Sequence, residues 1–132
     1  VEPIWKRIGP DYEAAAKHTR KAITAKSIYQ RALTGHCTIW IAADDADTEV
    51  TASCATSLVA LPGGLRVLFV EMVAGKNRAD IFNFRATLER HAKADGCDEI
   101  FFILPRGMAR GNPLPEYRAS HYLFSKELTA NG

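Results

Sequence analysis

The stretch Leu65-Arg-Val-Leu-Phe-Val-Glu-Met-Val-Ala-Gly-Lys-Asn-Arg78 decides the fold. Its run up to Ala74 is largely apolar, which predicts a strand buried on both faces. Gly75 breaks this strand, and apolar side chains then recur at helical spacing, which predicts a single helix from Ala79 to Ala94. Glu99-Ile-Phe-Phe-Ile-Leu follows as another strand. Strand, helix and strand form a right-handed crossover unit, so the two strands are expected to lie parallel.

The residues before this unit predict two further strands. Cys37-Thr-Ile-Trp-Ile-Ala-Ala is apolar and β-branched, and a longer strand is expected from Glu49 to Leu61. The polar run Asp44-Asp-Ala-Asp separates these two strands, and Pro62-Gly-Gly separates the second from the third. Because the connections are short, the three strands are expected to form an antiparallel meander.

The first third of the chain reads as helical. Pro10 with Asp11 has the composition of a helix start, which places the first helix after Pro10. A second helix is predicted from Ala25 to Leu33, ended by Gly35. After the fourth strand, an irregular or helical piece is expected from Met108 to Tyr117, and a last strand from Ala119 to Leu128. The fold class is therefore α/β, in the sense of an α+β mixed sheet with helices on its faces.

The length, net charge and hydropathy of the chain exclude some classes of function. The 132 residues predict a single domain spanning positions 1–132. A net charge of +2 is too small, and its cations too dispersed, to predict a nucleic-acid partner. No apolar run approaches the ~20 residues of a membrane-spanning helix. The chain is expected to be cytoplasmic and without a membrane partner.

Metal and thiol chemistry have little support in the sequence. Cys37, Cys54 and Cys97 lack C-x-x-C spacing, and the histidines lack H-x-x-x-H spacing, so no metal site is predicted. Cys37 and Cys54 are expected to be small buried hydrophobes.

The element order resembles that of the GNAT superfamily of acetyl-CoA-dependent N-acetyltransferases, an antiparallel meander followed by a β-α-β crossover. The chain looks most like small phage-encoded GNAT-like proteins. Four segments carry this resemblance: Leu33-Thr-Gly-His-Cys-Thr-Ile-Trp, Ala92-Lys-Ala-Asp-Gly-Cys-Asp-Glu-Ile, Arg106-Gly-Met-Ala-Arg and Phe124-Ser-Lys-Glu-Leu.

The resemblance implies a site for acetyl-CoA at the turn after the third meander strand. The diphosphate would rest on backbone N–H groups at the start of the following helix, where orphan amides favour an anion. The residues that the resemblance assigns to this cofactor site are Met72, Val73, Gly75, Lys76, Asn77, Arg78 and Ala79. The turn departs from the usual Q/R-x-x-G-x-G/A pattern, since Gly75 is its one evident glycine. Lys76 and Arg78 either add positive charge for phosphate or are solvated loop cations.

Two residues are candidates for catalysis. Glu71 is a carboxylate in an otherwise apolar strand, where burial would raise its pKa, and it is the candidate general base. The alternative is that Glu71 pairs with a cation at the open face of the sheet. Tyr117 matches a tyrosine that the family places near the coenzyme sulfur as a general acid, with Tyr122 as its competitor. Either ring could instead pack on the core.

The sequence leaves two functions open. The first is an N-acetyltransferase acting on a small-molecule or protein amine by direct attack. The second is a catalytically inactive GNAT-fold structural protein of a phage or phage-like particle, with phage structural proteins as partners and the virion as its location. A homo-oligomer is compatible with both. Arg106 and Arg110, beyond a strand's carboxyl end, could meet an acidic ligand or be surface cations.

Overall fold

The computed structural model describes residues 2–17, 23–43, 50–77, 79–104, 110, 114–118, 126 and 128. Eight elements are present in that part of the chain: α1 (Glu2–Ala16), α2 (Ala25–Leu33), β1 (Thr38–Ala43), β2 (Val50–Ala60), β3 (Arg66–Ala74), α3 (Ala79–Asn83), α4 (Arg85–Ala94) and β4 (Glu99–Phe102). Most of the predicted last strand and half of the piece from Met108 to Tyr117 lie outside the described residues.

The four strands form one mixed sheet in the order β1-β2-β3-β4. β1 pairs with β2, and β2 with β3, in antiparallel fashion, while β3 and β4 are parallel. The predicted fold class is confirmed: an antiparallel meander is followed by a crossover to a parallel strand.

Helices cover both faces of this sheet. On one face, side chains of α3 and α4 pack with Leu68, Val70 and Val73. On the other face, side chains of α1 and α2 pack with Met72 and Ala74. No helix of the described part is long and apolar enough to cross a membrane.

The predicted start of the first helix was wrong. α1 begins at Glu2 and carries Pro10 in its interior. Pro10 has no N–H to donate within the helix, which costs stability. The burial of Ile8 on one side of Pro10 and Tyr12 on the other, at 1% and 0% exposure, offsets that cost. Tertiary packing therefore carries the helix through a residue that the local pattern placed at its start.

The second helix has the predicted bounds and a cap that fixes where it starts. The Ser27 N–H donates to Thr24 Oγ1 at 3.1 Å, and the Thr24 N–H donates to Ser27 Oγ at 3.2 Å. This reciprocal pair is a capping box built with serine at its third position. Gly35 follows the helix with a φ of +80°, in agreement with its predicted role.

The predicted single helix from Ala79 to Ala94 is two helices, α3 and α4, which meet at Phe84. The Phe84 N–H bonds to the carbonyl of Ile81, three residues back, rather than four. The Phe82 carbonyl accepts a hydrogen bond from Arg85 Nη1 at 2.9 Å. The Arg85 side chain therefore stabilises the break by satisfying a carbonyl in the short first helix.

Tyr12 leaves a polar atom unpaired beneath α1. Its hydroxyl and that of Ser53 are buried, and neither has a hydrogen-bond partner of good geometry in the described part. Burial raises the pKa of the Tyr12 phenol, although the neighbouring Ser53 hydroxyl acts in the opposite direction. The ring itself stacks on Trp5 with centroids 5.5 Å apart.

Tyr12→Phe is expected to leave the free energy of unfolding unchanged or to raise it by about 1 kcal/mol, because an unpaired buried hydroxyl contributes little. Tyr12→Ala, which removes the ring, is the matched control and should cost about 3–5 kcal/mol. Urea denaturation measures both. A loss of more than about 1 kcal/mol in Tyr12→Phe would show that the hydroxyl makes a stabilising hydrogen bond after all.

Candidate functional site

A β-bulge lies in the middle of the site. Val70 pairs with Thr56 and Met72 pairs with Ala55, so Glu71 is an extra residue with no partner on β2. The bulge also changes which residues face which layer. Leu68 and Val70 pack toward α3 and α4, whereas Met72 and Ala74 pack toward α1 and α2. Bulges of this kind bend a strand and redirect its side chains.

The sheet opens directly after this bulge. β3 pairs with β4 only from Val67 to Val70, and the Ile103 N–H bonds to the Val70 carbonyl at 3.4 Å. β3 continues to Ala74, while β4 ends at Phe102. Within the described residues, nothing pairs with Glu71–Ala74 on the β4 side. This segment of the β3 edge therefore has no strand partner on that side in the described part of the chain, although Met72, Val73 and Ala74 are only 4%, 4% and 0% exposed.

Glu71, the candidate base, is held by an ion pair. Arg31 Nη1 of α2 lies 2.8 Å from Glu71 Oε2, and the Glu71 side chain is 11% exposed. The hydrogen bond with Glu71 raises the pKa of the Arg31 guanidinium. Arg31 thus lies as a counter-ion beside a nearly buried acidic side chain at the bulge. Sequence reasoning expected a cation as one alternative for Glu71 but did not identify Arg31, which is 40 residues away.

Tyr117, the candidate acid, lies on the other face of the sheet. Its ring packs edge-on against Phe102 at the end of β4, with centroids 5.5 Å apart. Its hydroxyl donates to Glu89 Oε2 at 2.7 Å. Burial raises the pKa of the Tyr117 phenol, and the hydrogen bond to Glu89 raises it further. The structure does not bring Tyr117 into contact with Glu71, and Tyr122 lies outside the described residues.

Gly75 is required by the sheet itself. Its φ is +117°, and a Cβ at this position would lie 2.7 Å from both the Ala52 Cα and the Thr51 carbonyl oxygen. Both atoms belong to the backbone of β2, so neither can move aside as a flexible side chain could. The close approach of the turn to β2 is sufficient reason for a glycine here, without any ligand.

The turn after Gly75 is tied to the same residue of β2. The Asn77 N–H donates to the Thr51 carbonyl at 3.0 Å. The Thr51 hydroxyl donates to the Asp80 carboxylate in the first turn of α3. Sequence reasoning missed Thr51 and Asp80. An acid two residues after Arg78 was the available signal, because such a residue complements a helix start in the way a bound anion would.

The remaining predicted cofactor residues are spread over different environments. Met72 and Val73 are each 4% exposed. Lys76 and Ala79 are exposed, and Arg78 lies outside the described residues. Lys76 lines a shallow pocket of about 170 Å³ that includes Arg7 and Asp11. Among the residues that the structure describes, the cations Arg7 and Lys76 therefore share their pocket with the acid Asp11.

The site fits the amide-containing arm of acetyl-CoA and its diphosphate to different degrees. The segment of β3 from Glu71 to Ala74, which has no strand partner on the β4 side in the described residues, has backbone groups of the kind that pair with the amides of an extended arm. In the described part of the turn, the Asn77 N–H is already bonded to Thr51, and the Asp80 carboxylate would repel a diphosphate placed beside it.

One thiol lies near the ion pair: burial raises the pKa of Cys37, and the neighbouring Glu71 raises it further. Cys37 and Cys54 are buried as expected, and burial raises the pKa of the Cys54 thiol to about 12. Cys97 lies against Arg66 in a separate pocket of about 290 Å³, at the start of β4. Among the described residues, no group of three or more His, Cys, Asp or Glu side chains could hold a metal ion.

Solved structures with the same fold include acetyltransferases. A probable acetyltransferase is 10% identical over 92% of this chain and 89% of its own, with a TM-score of 0.65. An aminoglycoside acetyltransferase from an uncultured soil metagenomic sample is 11% identical over 96% and 90%, also with 0.65. A transcriptional regulator from Bacillus halodurans C-125 is 15% identical over 97% and 95%, again with 0.65. No family profile and no curated protein matches the sequence.

The chain thus shares its fold, a four-stranded mixed sheet with helices on both faces in the described part, with these solved acetyltransferase structures. At identities of 10–15% the likeness shows the architecture alone.

Proposed function

We propose that the protein is a GNAT-type N-acyltransferase that moves an acetyl group from acetyl-CoA to an amine, carried by a small molecule or a protein. The observation that carries this proposal is the gap beside β3, where Glu71 bulges and pairing with β4 stops after Val70. At this place a backbone segment without a strand partner in the described part of the chain lies beside a nearly buried carboxylate, and acyl transfer from a thioester to an amine uses a backbone N–H to polarise the carbonyl and a base to take the proton.

The residues have distinct roles in this proposal. The backbone of Met72 and Val73 would hold the donor and polarise its carbonyl, while the thioester supplies the activated acyl group. The amine nitrogen bonds to the carbonyl carbon, the carbon–sulfur bond breaks, and Glu71 takes the proton that the amine loses. Tyr117 would return a proton to the sulfur, which requires its hydroxyl to leave Glu89.

A structural observation also supports a second candidate function. The turn at Gly75 is closed by bonds to Thr51, which favours an inactive GNAT-fold structural protein, with phage structural proteins as partners. The enzyme is proposed to be cytoplasmic; the structural protein would be virion-associated.

Thermal melting with acetyl-CoA separates the two functions. A donor at 100 times its dissociation constant stabilises the folded protein by about 2.7 kcal/mol. For a chain of this length we expect the melting temperature to rise by roughly 10 °C. ATP at the same concentration is the control, because it has phosphates and an adenine but no thioester arm. An unchanged melting temperature at millimolar acetyl-CoA would remove the enzyme and leave the structural protein.

A further inference from the structure

We propose that Arg85 positions the candidate acid Tyr117: it binds Glu116, the residue before Tyr117, and so holds the segment 114–118 beside the end of β4. This inference rests on the proposed function and adds a positioning residue to it, because Arg85 acts through Glu116 and is assigned no contact with donor or acceptor. It follows from the contacts that fix the segment and from the place where they hold the Tyr117 ring.

The guanidinium of Arg85, the first residue of α4, donates hydrogen bonds from all three of its nitrogen atoms. Nε and Nη2 each donate to one carboxylate oxygen of Glu116, both at 2.9 Å. Nη1 donates to the Phe82 carbonyl at 2.9 Å, at the break between α3 and α4. Two parallel hydrogen bonds fix the orientation of a carboxylate as well as its distance. The start of α4 therefore determines where Glu116 lies.

The residues on either side of Glu116 are also held. Leu114 is 7% exposed, and the Tyr117 N–H donates to the Leu114 carbonyl at 2.9 Å, which closes a turn. The Tyr117 hydroxyl donates to Glu89 Oε2 at 2.7 Å. Arg85 and Glu89 are four residues apart and therefore lie on the same face of α4. Two adjacent side chains of one helix thus bind two successive residues of the segment.

The segment lies at the point where the sheet opens. The Tyr117 ring packs edge-on against Phe102, with centroids 5.5 Å apart. Phe102 is the last residue of β4 and pairs with Val70, directly before the bulge at Glu71. Because Tyr117 adjoins Glu116 in the chain, any shift of the segment moves the ring away from this place. The transfer of a proton from Tyr117 to the sulfur therefore depends on where the segment is held.

Arg85 matters most at the step in which Tyr117 acts. The Tyr117 hydroxyl has to leave Glu89 before it can give its proton to the sulfur, so that hydrogen bond is broken during the reaction. The paired hydrogen bonds between Arg85 and Glu116 involve neither the phenol nor Glu89. Of the two contacts that α4 makes with the segment, this pair is the one that remains intact in that step.

The ion pair supplies position more than stability. The Glu116 side chain is 61% exposed and the Arg85 side chain 26%, so solvent screens the pair. Ion pairs exposed in this way add little to the free energy of unfolding. A displacement of about 1 Å in a reacting group can nevertheless lower a rate by about 100-fold. Loss of the pair is therefore expected to change kcat much more than the melting temperature.

Steady-state kinetics of two variants, followed by thiol release from acetyl-CoA, tests the inference. Arg85→Lys keeps the charge but cannot form the two parallel hydrogen bonds. Glu116→Ala removes the carboxylate and leaves Arg85 on the Phe82 carbonyl. We expect each variant to lower kcat by about 10- to 100-fold and to leave the KM of acetyl-CoA unchanged. The matched control is Arg90→Lys, at an exposed residue of the same helix that hydrogen-bonds to Thr87, and it should alter neither constant. Melting curves confirm that all three variants fold.

The background Tyr117→Phe separates positioning from a general structural role. Phenylalanine keeps a ring against Phe102 but has no proton to give, so no acid remains for Arg85 to position. Arg85→Lys is therefore expected to cause no further loss of kcat in this background. If Arg85→Lys lowers kcat by the same factor with and without the Tyr117 hydroxyl, it acts on the fold and the inference is wrong. The inference is also wrong if Tyr117→Phe alone leaves kcat unchanged, while the proposed function stands.

Hydrogen exchange gives a second readout that needs neither donor nor turnover. The Tyr117 amide is bonded to the Leu114 carbonyl, so its exchange rate reports how firmly the turn is held. We expect this amide to exchange about tenfold faster in Arg85→Lys and in Glu116→Ala, and at the wild-type rate in Arg90→Lys.

The outcomes separate this inference from the proposed function. If the wild type transfers acetyl groups but neither variant changes the exchange of the Tyr117 amide, Arg85 does not hold the segment, and the inference is wrong while the proposed function stands. If the wild type transfers no acetyl group to any primary amine, the proposed function fails and the inference fails with it, whatever the exchange rates are.

Discussion

Gly75→Ala is expected to destabilise the protein by about 3–5 kcal/mol, the largest loss that we predict for a single methyl group. A φ of +117° is strained for any residue with a Cβ, at a cost of about 1–3 kcal/mol. The added carbon would also lie 2.7 Å from two backbone atoms of β2, at Thr51 and Ala52. Overpacking of this kind adds about 1–3 kcal/mol, because the strand cannot move without disturbing its own pairing.

Gly64→Ala is the matched control for this change. Gly64 also has a positive φ, +92°, but a Cβ there would meet no atom within 4 Å. Its substitution should cost only the backbone strain, about 1–2 kcal/mol. Urea denaturation of both variants measures the difference. Equal losses in the two variants would mean that β2 yields to the extra carbon and that the turn is not fixed by Gly75.

Much of the fold could be predicted because its signals are local. The apolar run before Ala74 and the two glycines after Pro62 determine where β3 lies, whatever the rest of the chain does. Two predicted helix boundaries were wrong, because contacts with residues distant in the sequence determine them. Pro10 lies inside α1 because Ile8 and Tyr12 are both buried, and the helix after Gly75 divides where Phe84 turns.

The site was predictable in part for the same reason. Glu71 is recognisable as a carboxylate in an apolar strand, but the bulge is not. The bulge cannot be recognised in the sequence, because nearly every side chain in this run is apolar and one extra residue does not change the pattern. Only the pairing of Val70 and Met72 with successive residues of β2 reveals it. Arg31 and Thr51 reach the site from other elements, so no spacing along the chain reveals them.

Glu71→Gln is expected to lower kcat for acyl transfer by about 10²–10⁴-fold, because an amide cannot take the proton that the amine loses. The amide is close to the carboxylate in size and keeps an oxygen that accepts from Arg31, so the free energy of unfolding should change by less than about 1 kcal/mol. The donor does not need the charge in order to bind, and its dissociation constant should not change. Thiol release with a primary amine that supports turnover gives kcat.

Because Glu71 is paired with Arg31, the Glu71→Gln variant distinguishes a catalytic role of Glu71 from a purely structural one. Glu71 lies 2.8 Å from the Arg31 guanidinium, and such a carboxylate can have a purely structural role instead of acting as a base. Arg31→Lys keeps a cation near Glu71 and should retain most of the activity, whereas Glu71→Gln removes the proton acceptor. If Glu71→Gln instead lowers the stability by about 2 kcal/mol or more and leaves kcat unchanged, the pair serves only to join α2 to the bulge. In that case the amine must arrive already deprotonated or lose its proton to another group beside the gap.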